Sequence, residues 1–188
     1  DLRIIGGDAR GRRLFAPEGM DTRPTADRTR ESLFNILSAR LYGAHVLDLF
    51  GGTGALALEA LSRGAAFAAI ADVSPAAIRA IERNAEAVLK DEKPSRARIL
   101  RADYRQSLRA LAGQRFDLVF LDPPYRMAEA YAESVRMLKD GGMLSEDAVI
   151  VLERRKDAAL SLPDGFEIFD SRAYRDTVID FVRARGET

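Results

Sequence analysis

Apolar and polar positions follow two rhythms along the chain. Short apolar runs stand at residues 46–50, 67–71, 97–100, 116–121 and 149–152. Between them lie amphipathic segments at 55–63, 76–89, 104–111 and 128–138, whose apolar residues recur three and four apart and predict helices. In the segment 76–89 the buried stripe is Ile78, Ile81, Ala85, Val88 and Leu89, with Ser74 placed to cap the helix and Pro75 suited to its first position. Continuous apolar strands alternating with helices predict an α/β fold with a parallel sheet covered on both faces. The last two runs, 166–169 and 178–182, have no helix between them. They predict a hairpin that closes the sheet and makes it mixed.

The N-terminal quarter is patterned differently. Residues 2–7 and 12–16 are short extended segments around Gly6-Gly7-Asp8, which predict a β-hairpin or arm. Pro17, Gly19 and Pro24 break the chain into a loop. A helix follows from about residue 26 to 39, with Leu33, Phe34, Ile36, Leu37 and Leu41 on its apolar face. The expected organisation is a single domain over 1–188, with an arm and loop at 1–24 and a core at 25–188. No internal repeat, low-complexity segment or long linker interrupts it.

Composition removes several chemistries. The chain has no cysteine and one histidine. That excludes a disulfide framework, a Cys/His zinc site and a cysteine nucleophile, and it fits a reducing compartment. His45, at the start of an apolar strand, reads as structural, and no metal motif is present. No apolar run is long enough to cross a bilayer, and the start does not read as a signal peptide. The chain opens at Asp1 rather than Met, which leaves room for a segment outside this numbering. Basic and acidic side chains balance at 29 each, so any nucleic-acid surface must be local. Arg10, Arg12, Arg13, Arg23, Arg28 and Arg30 supply one: they cluster ahead of and within the first helical turns, where cations oppose the helix dipole. A solvated helix face with Asp27 and Glu31 as partners accounts for that segment equally well.

In open α/β sheets ligands bind beyond the carboxyl ends of the strands, and four such ends carry chemistry here. Asp48-Leu49-Phe50 runs into Gly51-Gly52-Thr53-Gly54 and then a helix. Such a turn admits a ligand where a Cβ would collide, and helix N–H groups favour acceptor groups, although tight packing alone also uses glycines. Asp72, followed by Val73, stands twenty residues after Gly52, the spacing at which an acid reaches ribose hydroxyls. The competing reading is a helix-entry acid beside Ser74. Asp103, with Tyr104, can accept from the exocyclic amine of adenine or simply cap the next helix. The sharpest signal is Asp122-Pro123-Pro124-Tyr125. Two prolines stiffen the backbone and remove two donors, which leaves the carboxylate and backbone carbonyls as acceptors. Tyr125 offers a stacking face. This suits a planar substrate bearing an –NH₂ group. A dinucleotide reading of 52–57 also fits, with Asp72 on the ribose, but it leaves Asp48, Asp103 and the Asp-Pro-Pro-Tyr run idle.

The glycine turn paired with Asp122–Tyr125 resembles class I S-adenosylmethionine-dependent methyltransferases, and the proline run is similar to that of amino-methylating members acting on adenine N6, guanine N2 or glutamine amides. Ile4-Ile5-Gly6-Gly7, Gly11-Arg12-Arg13-Leu14, Arg23-Pro24-Thr25, Asp27-Arg28-Thr29-Arg30-Glu31, Leu33-Phe34-Asn35 and the stretch 54–65 resemble the bacterial RsmD family, which methylates guanine N2 in small-subunit (16S) ribosomal RNA. The resemblance spans nearly the whole chain. It implies a Rossmann-like fold with a mixed seven-stranded sheet and an N-terminal hairpin arm, in a monomeric cytoplasmic enzyme. It also implies that Asp48, Phe50, Gly51, Gly52, Thr53 and Gly54 hold the methionine part of S-adenosylmethionine. Asp72 and Val73 then serve the ribose, Asp103 and Tyr104 the adenine, and Asp122, Pro123, Pro124 and Tyr125 the target base. Asp122 borders the cofactor as well. The arginines Arg10, Arg12, Arg13, Arg23, Arg28 and Arg30 would contact phosphates of small-subunit rRNA, naked or in an assembling particle. The chain departs from the family in Gly51 for a usual Ala, Asp72 for a frequent Glu, and Arg175 for a frequent Gly after Tyr174. Methylation of adenine N6 or a protein amide, and a non-catalytic RNA-binding assembly factor, are the competing classes.

Overall fold

Seven strands make one sheet in the order β3-β2-β1-β4-β5-β7-β6 in a computed structural model that describes residues 2–20 and 24–186. The strands are β1 (His45–Asp48), β2 (Phe67–Asp72), β3 (Ala97–Arg101), β4 (Phe116–Leu121), β5 (Leu144–Arg155), β6 (Phe166–Tyr174) and β7 (Thr177–Ala184). The first five are parallel, and β7 runs antiparallel to both β5 and β6. The sheet is therefore mixed and seven-stranded, as the apolar runs and the resemblance together predict.

Strand alternation divides the core in two. Val46, Phe120 and Val151 face one side, where they meet α1 (Pro24–Ile36), α2 (Ala55–Ser62) and α3 (Pro75–Leu89). Leu47, Val119, Leu121 and Leu152 face the other, against α5 (Tyr104–Ala110) and α6 (Glu129–Asp140). A short α4 (Lys93–Arg96) leads into β3. Each fully buried Leu, Ile, Val or Phe removes apolar surface from water for about 1.5–3 kcal/mol, so both layers contribute heavily to folding. Ser74 caps α3 by accepting from the Ala77 N–H at 3.3 Å, with Pro75 at the first helical position. No helix among the described residues is long and apolar enough to cross a membrane.

The N-terminal segment is hairpin-like. Leu14 N donates to Leu2 O, Ile4 N to Arg12 O and Gly11 N to Ile4 O, with Arg3 bridged to Arg13. It does not stand away from the body. Leu2, Ile4 and Leu14 are buried in the core under α1 to α3. Buried Glu59 of α2 accepts from the N–H groups of Ile5 and Gly6, both at 2.9 Å. Ser62 Oγ accepts from Ala9 N and donates to Gly6 O. Gly7 lies so close to α2 that a Cβ there would sit 2.0 Å from the Ser62 carbonyl oxygen. Buried Asn84 of α3 accepts from Phe15 N at 2.6 Å and donates to Phe15 O at 2.8 Å.

Several boundaries move. The first helix begins at Pro24 and ends at Ile36, and Ser38–Arg40 continue as a 3-10 turn. β5 runs three residues past its apolar stretch, because β7 pairs with it through Glu153↔Ile179, Arg154↔Val178 and Arg155↔Thr177. At the β6–β7 turn, Tyr174 pairs with Thr177, and Arg175 needs no positive φ, so the absence of a glycine there is tolerated. Tyr174 also hydrogen-bonds Ser32 of α1 at 2.9 Å.

Candidate active site

The strand order reverses between β1 and β4, where a crevice opens at the carboxyl ends in doubly wound sheets. The glycine turn leaves β1 there, and Asp122-Pro123-Pro124-Tyr125 leaves β4 beside it. His45 stands at the opposite end of β1 and packs its ring on Phe67 at 5.9 Å, away from this crevice.

The turn is held from β2. Asp72 accepts from Gly52 N and from Ser74 N, each at 2.9 Å, so one carboxylate fixes both the turn and the entry to α3. Each oxygen keeps lone pairs for a further donor. Gly52 has a φ of +60°, and a Cβ built on it would meet nothing within 4 Å, so the turn is open on that side. Val73 is 63% exposed next to Asp72, a free apolar surface at the rim. Asp103 caps α5 by accepting from Gln106 N at 2.7 Å in a reciprocal capping box, so its helix-capping reading is met whatever else it binds.

Two of the expected cofactor contacts are buried. Asp48 is 2% exposed and accepts from Phe50 N at 3.1 Å. Tyr104 is 1% exposed, packs 5.8 Å from the Phe50 ring and donates its hydroxyl to Glu133 of α6. Both support Phe50 from behind. The packing of α5 on α6 holds the tyrosine in place.

The proline run presents its parts as its sequence suggests. Pro123 is buried, whereas Pro124 and Tyr125 are exposed, with Tyr125 at 78%. The Arg155 guanidinium lies 5.6 Å from the Tyr125 ring centre. Asp122 is reachable by solvent on one side, yet protein surrounds it closely on the others: it sits in an open recess. That crowding, followed by repulsion from Glu153 and Asp48, pushes its carboxyl up to about 8. Burial, opposed by the Phe50 N–H and assisted by Asp72 and Glu153, pushes Asp48 up to about 7.

Glu153, absent from the sequence-based set, completes the group. Its carboxyl is also raised, chiefly by burial, and its charge bears on Asp122 beside it. The signal was available in the sequence. Four of the five parallel strands place an acid directly after apolar residues, and Leu152-Glu153 repeats the pattern of Leu47-Asp48, Ala71-Asp72 and Leu121-Asp122. No acid cluster among the described residues is arranged to hold a metal ion. The crevice therefore concentrates carboxyls that no cation among the described residues offsets, which favours a ligand carrying positive charge or N–H donors.

The arginines divide. Arg10, Arg12 and Arg13 are exposed and line a hollow of about 800 Å³ with Arg83, Phe15 and Asn84. Arg83 stacks 4.3 Å from the Phe15 ring centre. This hollow lies beside the strand ends, not at them, and Asn84 joins the two by donating to Thr53 O at 2.8 Å. Arg28 is exposed. Arg23 lies outside the described residues. Arg30 is withdrawn from the RNA-facing set: it is 6% exposed and ion-paired with Asp27 at 2.6 Å and Glu59 at 3.4 Å.

Residues 2–183 match the model of a protein family described as "Conserved hypothetical protein 95". Ribosomal RNA small subunit methyltransferase D of Escherichia coli is 39% identical over 159 residues, covering 85% of this chain and 77% of its own length. The chain belongs to the RsmD family. YlbH of Bacillus subtilis, a proposed rRNA methyltransferase, is 35% identical across 100% of this chain and 93% of its own. The solved structure of the E. coli protein yhhF, a proposed methyltransferase, superposes with a TM-score of 0.81 at 31% identity over 99% of both chains. The family membership and the class I methyltransferase fold expected from the motifs both stand.

Proposed function

We propose that this protein transfers a methyl group from S-adenosylmethionine to the exocyclic N2 of a guanine in small-subunit (16S) ribosomal RNA, acting as a cytoplasmic monomer on RNA or on an assembling particle. One observation carries the reading: the glycine turn of β1 and the Asp122–Tyr125 run of β4 open side by side where the strand order reverses. The named relatives support rRNA as the substrate.

The crevice fits the cofactor. The open side of Gly52 gives room for close approach, and the unpaired acids suit a ligand with an ammonium and a sulfonium. Gly51 to Gly54 would hold its methionine part, with Asp48 acting from below through its charge. Asp72 and Val73 would hold the ribose and Asp103 the adenine amine. Bound there, S-adenosylmethionine supplies an electrophilic methyl group. The protein's own task is to position the base. Tyr125 stacks on the flipped guanine. Asp122 and the Pro123 carbonyl accept from the N2–H groups and pull the nitrogen toward a tetrahedral geometry, which withdraws its lone pair from conjugation with the ring. Asp122 takes the proton that N2 loses. Positioning supplies most of the acceleration, with weak base assistance. Arg10, Arg12, Arg13 and Arg83 meet phosphates around the hollow.

Labelled methyl transfer to small-subunit RNA, naked and protein-bound, followed by nucleoside analysis, tests this. N2-methylguanosine is the expected product. N6-methyladenosine or labelled protein refutes the reading.

A further inference from the structure

Glu153 and Asp122 sit at adjoining carboxyl ends. The parallel ladder pairs Leu121 with Leu152, so the next residue on each strand lies beside the other, about 4.8 Å apart across the ladder. Alternation places both on the same face of the sheet as Phe120 and Val151. The two carboxyls lie close enough to repel when both are ionised, which favours one proton on the pair. Glu153 is held firmly: its backbone oxygen accepts from Tyr131 of α6, and its strand pairs through Ile179 of β7.

Structural acids in this protein look different. Glu59 is ion-paired with Arg30 and Arg63, and Asp180 with Arg154. Neither Asp122 nor Glu153 has a cationic partner among the described residues. Such a pair weakens the fold, and uncompensated carboxyls in a crevice mark a binding function.

We propose that Glu153 and Asp122 together form the receptor for the Watson–Crick edge of the target guanine, with Glu153 accepting from N1–H and Asp122 from N2–H. The proposal rests on the guanine-N2 reading above and names the residue that selects the base. With one proton on an inner oxygen of the pair, the oxygens that face outward act as acceptors. Guanine presents two adjacent donors to them. Adenine presents a donor and an acceptor, so its N1 lone pair would meet a carboxyl oxygen. A site built for a donor rejects a base that lacks it.

The probe is 2-aminopurine, which keeps the 2-amino group and replaces N1–H by an acceptor. It is placed at the methyl-accepting position, found by nucleoside mapping of the wild-type product. Methyl transfer (kcat/KM) and RNA binding without cofactor are measured for guanine and 2-aminopurine RNAs. The wild type is expected to favour guanine by at least about tenfold in both. In Glu153→Gln the side-chain amide can donate to N1, so that preference should fall about tenfold or more. Equal use of both bases by the wild type overturns the proposal even if the variant fails to fold. An unchanged preference in a folded Glu153→Gln overturns it while leaving guanine methylation intact. If no guanine accepts methyl from the wild type, the functional reading falls, and the receptor with it.

Discussion

At the scale of single residues, the acids of the crevice are held against their own preference. Asp48 ordinarily ionises near 3.8, but burial moves it to about 7 in the folded protein. Between those values the native state holds a proton that the unfolded state has lost. Stability therefore falls as pH rises from about 4 to 7, then levels off. Asp48→Asn keeps an oxygen for the Phe50 N–H and removes the ionisation. It should gain on the order of 1–2 kcal/mol over the wild type at pH 8, several degrees in Tm, and progressively less toward pH 5. Thermal melts across that pH range check it; a pH-independent difference would contradict it. Asp122→Asn should also melt higher at alkaline pH, since it removes repulsion with Glu153 and Asp48. Its methyl-transfer kcat/KM should fall on the order of 10²-fold, because an amide nitrogen in place of one oxygen misplaces the N2 amine. A variant that is stabler and slower separates function from folding at this position.

At the scale of elements, α2 and α3 hold the arm through Glu59, Ser62 and Asn84. Glu59→Ala would take the carboxylate from Arg63 and from two backbone amides and leave Arg30 with Asp27 alone, at a cost of about 3–5 kcal/mol in urea unfolding. Trypsin should then cut faster at Arg10, Arg12 and Arg13. The strands and helices were legible from the sequence because burial on both faces leaves uninterrupted apolar runs. Local chemistry placed the glycine turn and Asp122–Tyr125 for the same reason: each follows such a run directly. What escaped reading depends on distant partners. Arg30 looks like a surface cation until Glu59, twenty-nine residues on, arrives beneath it. Glu153 follows its apolar run as the other acids do, but only the pairing of β5 with β4 shows that it lies beside Asp122. Tyr104 looks like a rim residue because nothing in its neighbourhood announces Glu133.

At the scale of the molecule, charge is balanced overall but not spread evenly. The acids gather at the strand ends, and Arg10, Arg12, Arg13 and Arg83 gather at the adjoining hollow. RNA affinity should therefore fall steeply with salt. Replacing Arg12 and Arg13 by Ala should reduce the slope of log K against log[salt] by about 0.7 for each phosphate that is no longer neutralised. Arg30→Ala should leave the slope unchanged and lower stability instead, a contrast that filter binding and urea titration resolve together. The anchoring of the arm also bears on how the chain is made. Ile5 and Gly6 bond Glu59, and Phe15 bonds Asn84, at separations of 53 to 69 residues. A chain synthesised from its N-terminus emerges with Leu2, Ile4 and Leu14 uncovered and their receptors still unmade. The arm is thus made before the helices that cover it, and it settles only once α2 and α3 have emerged.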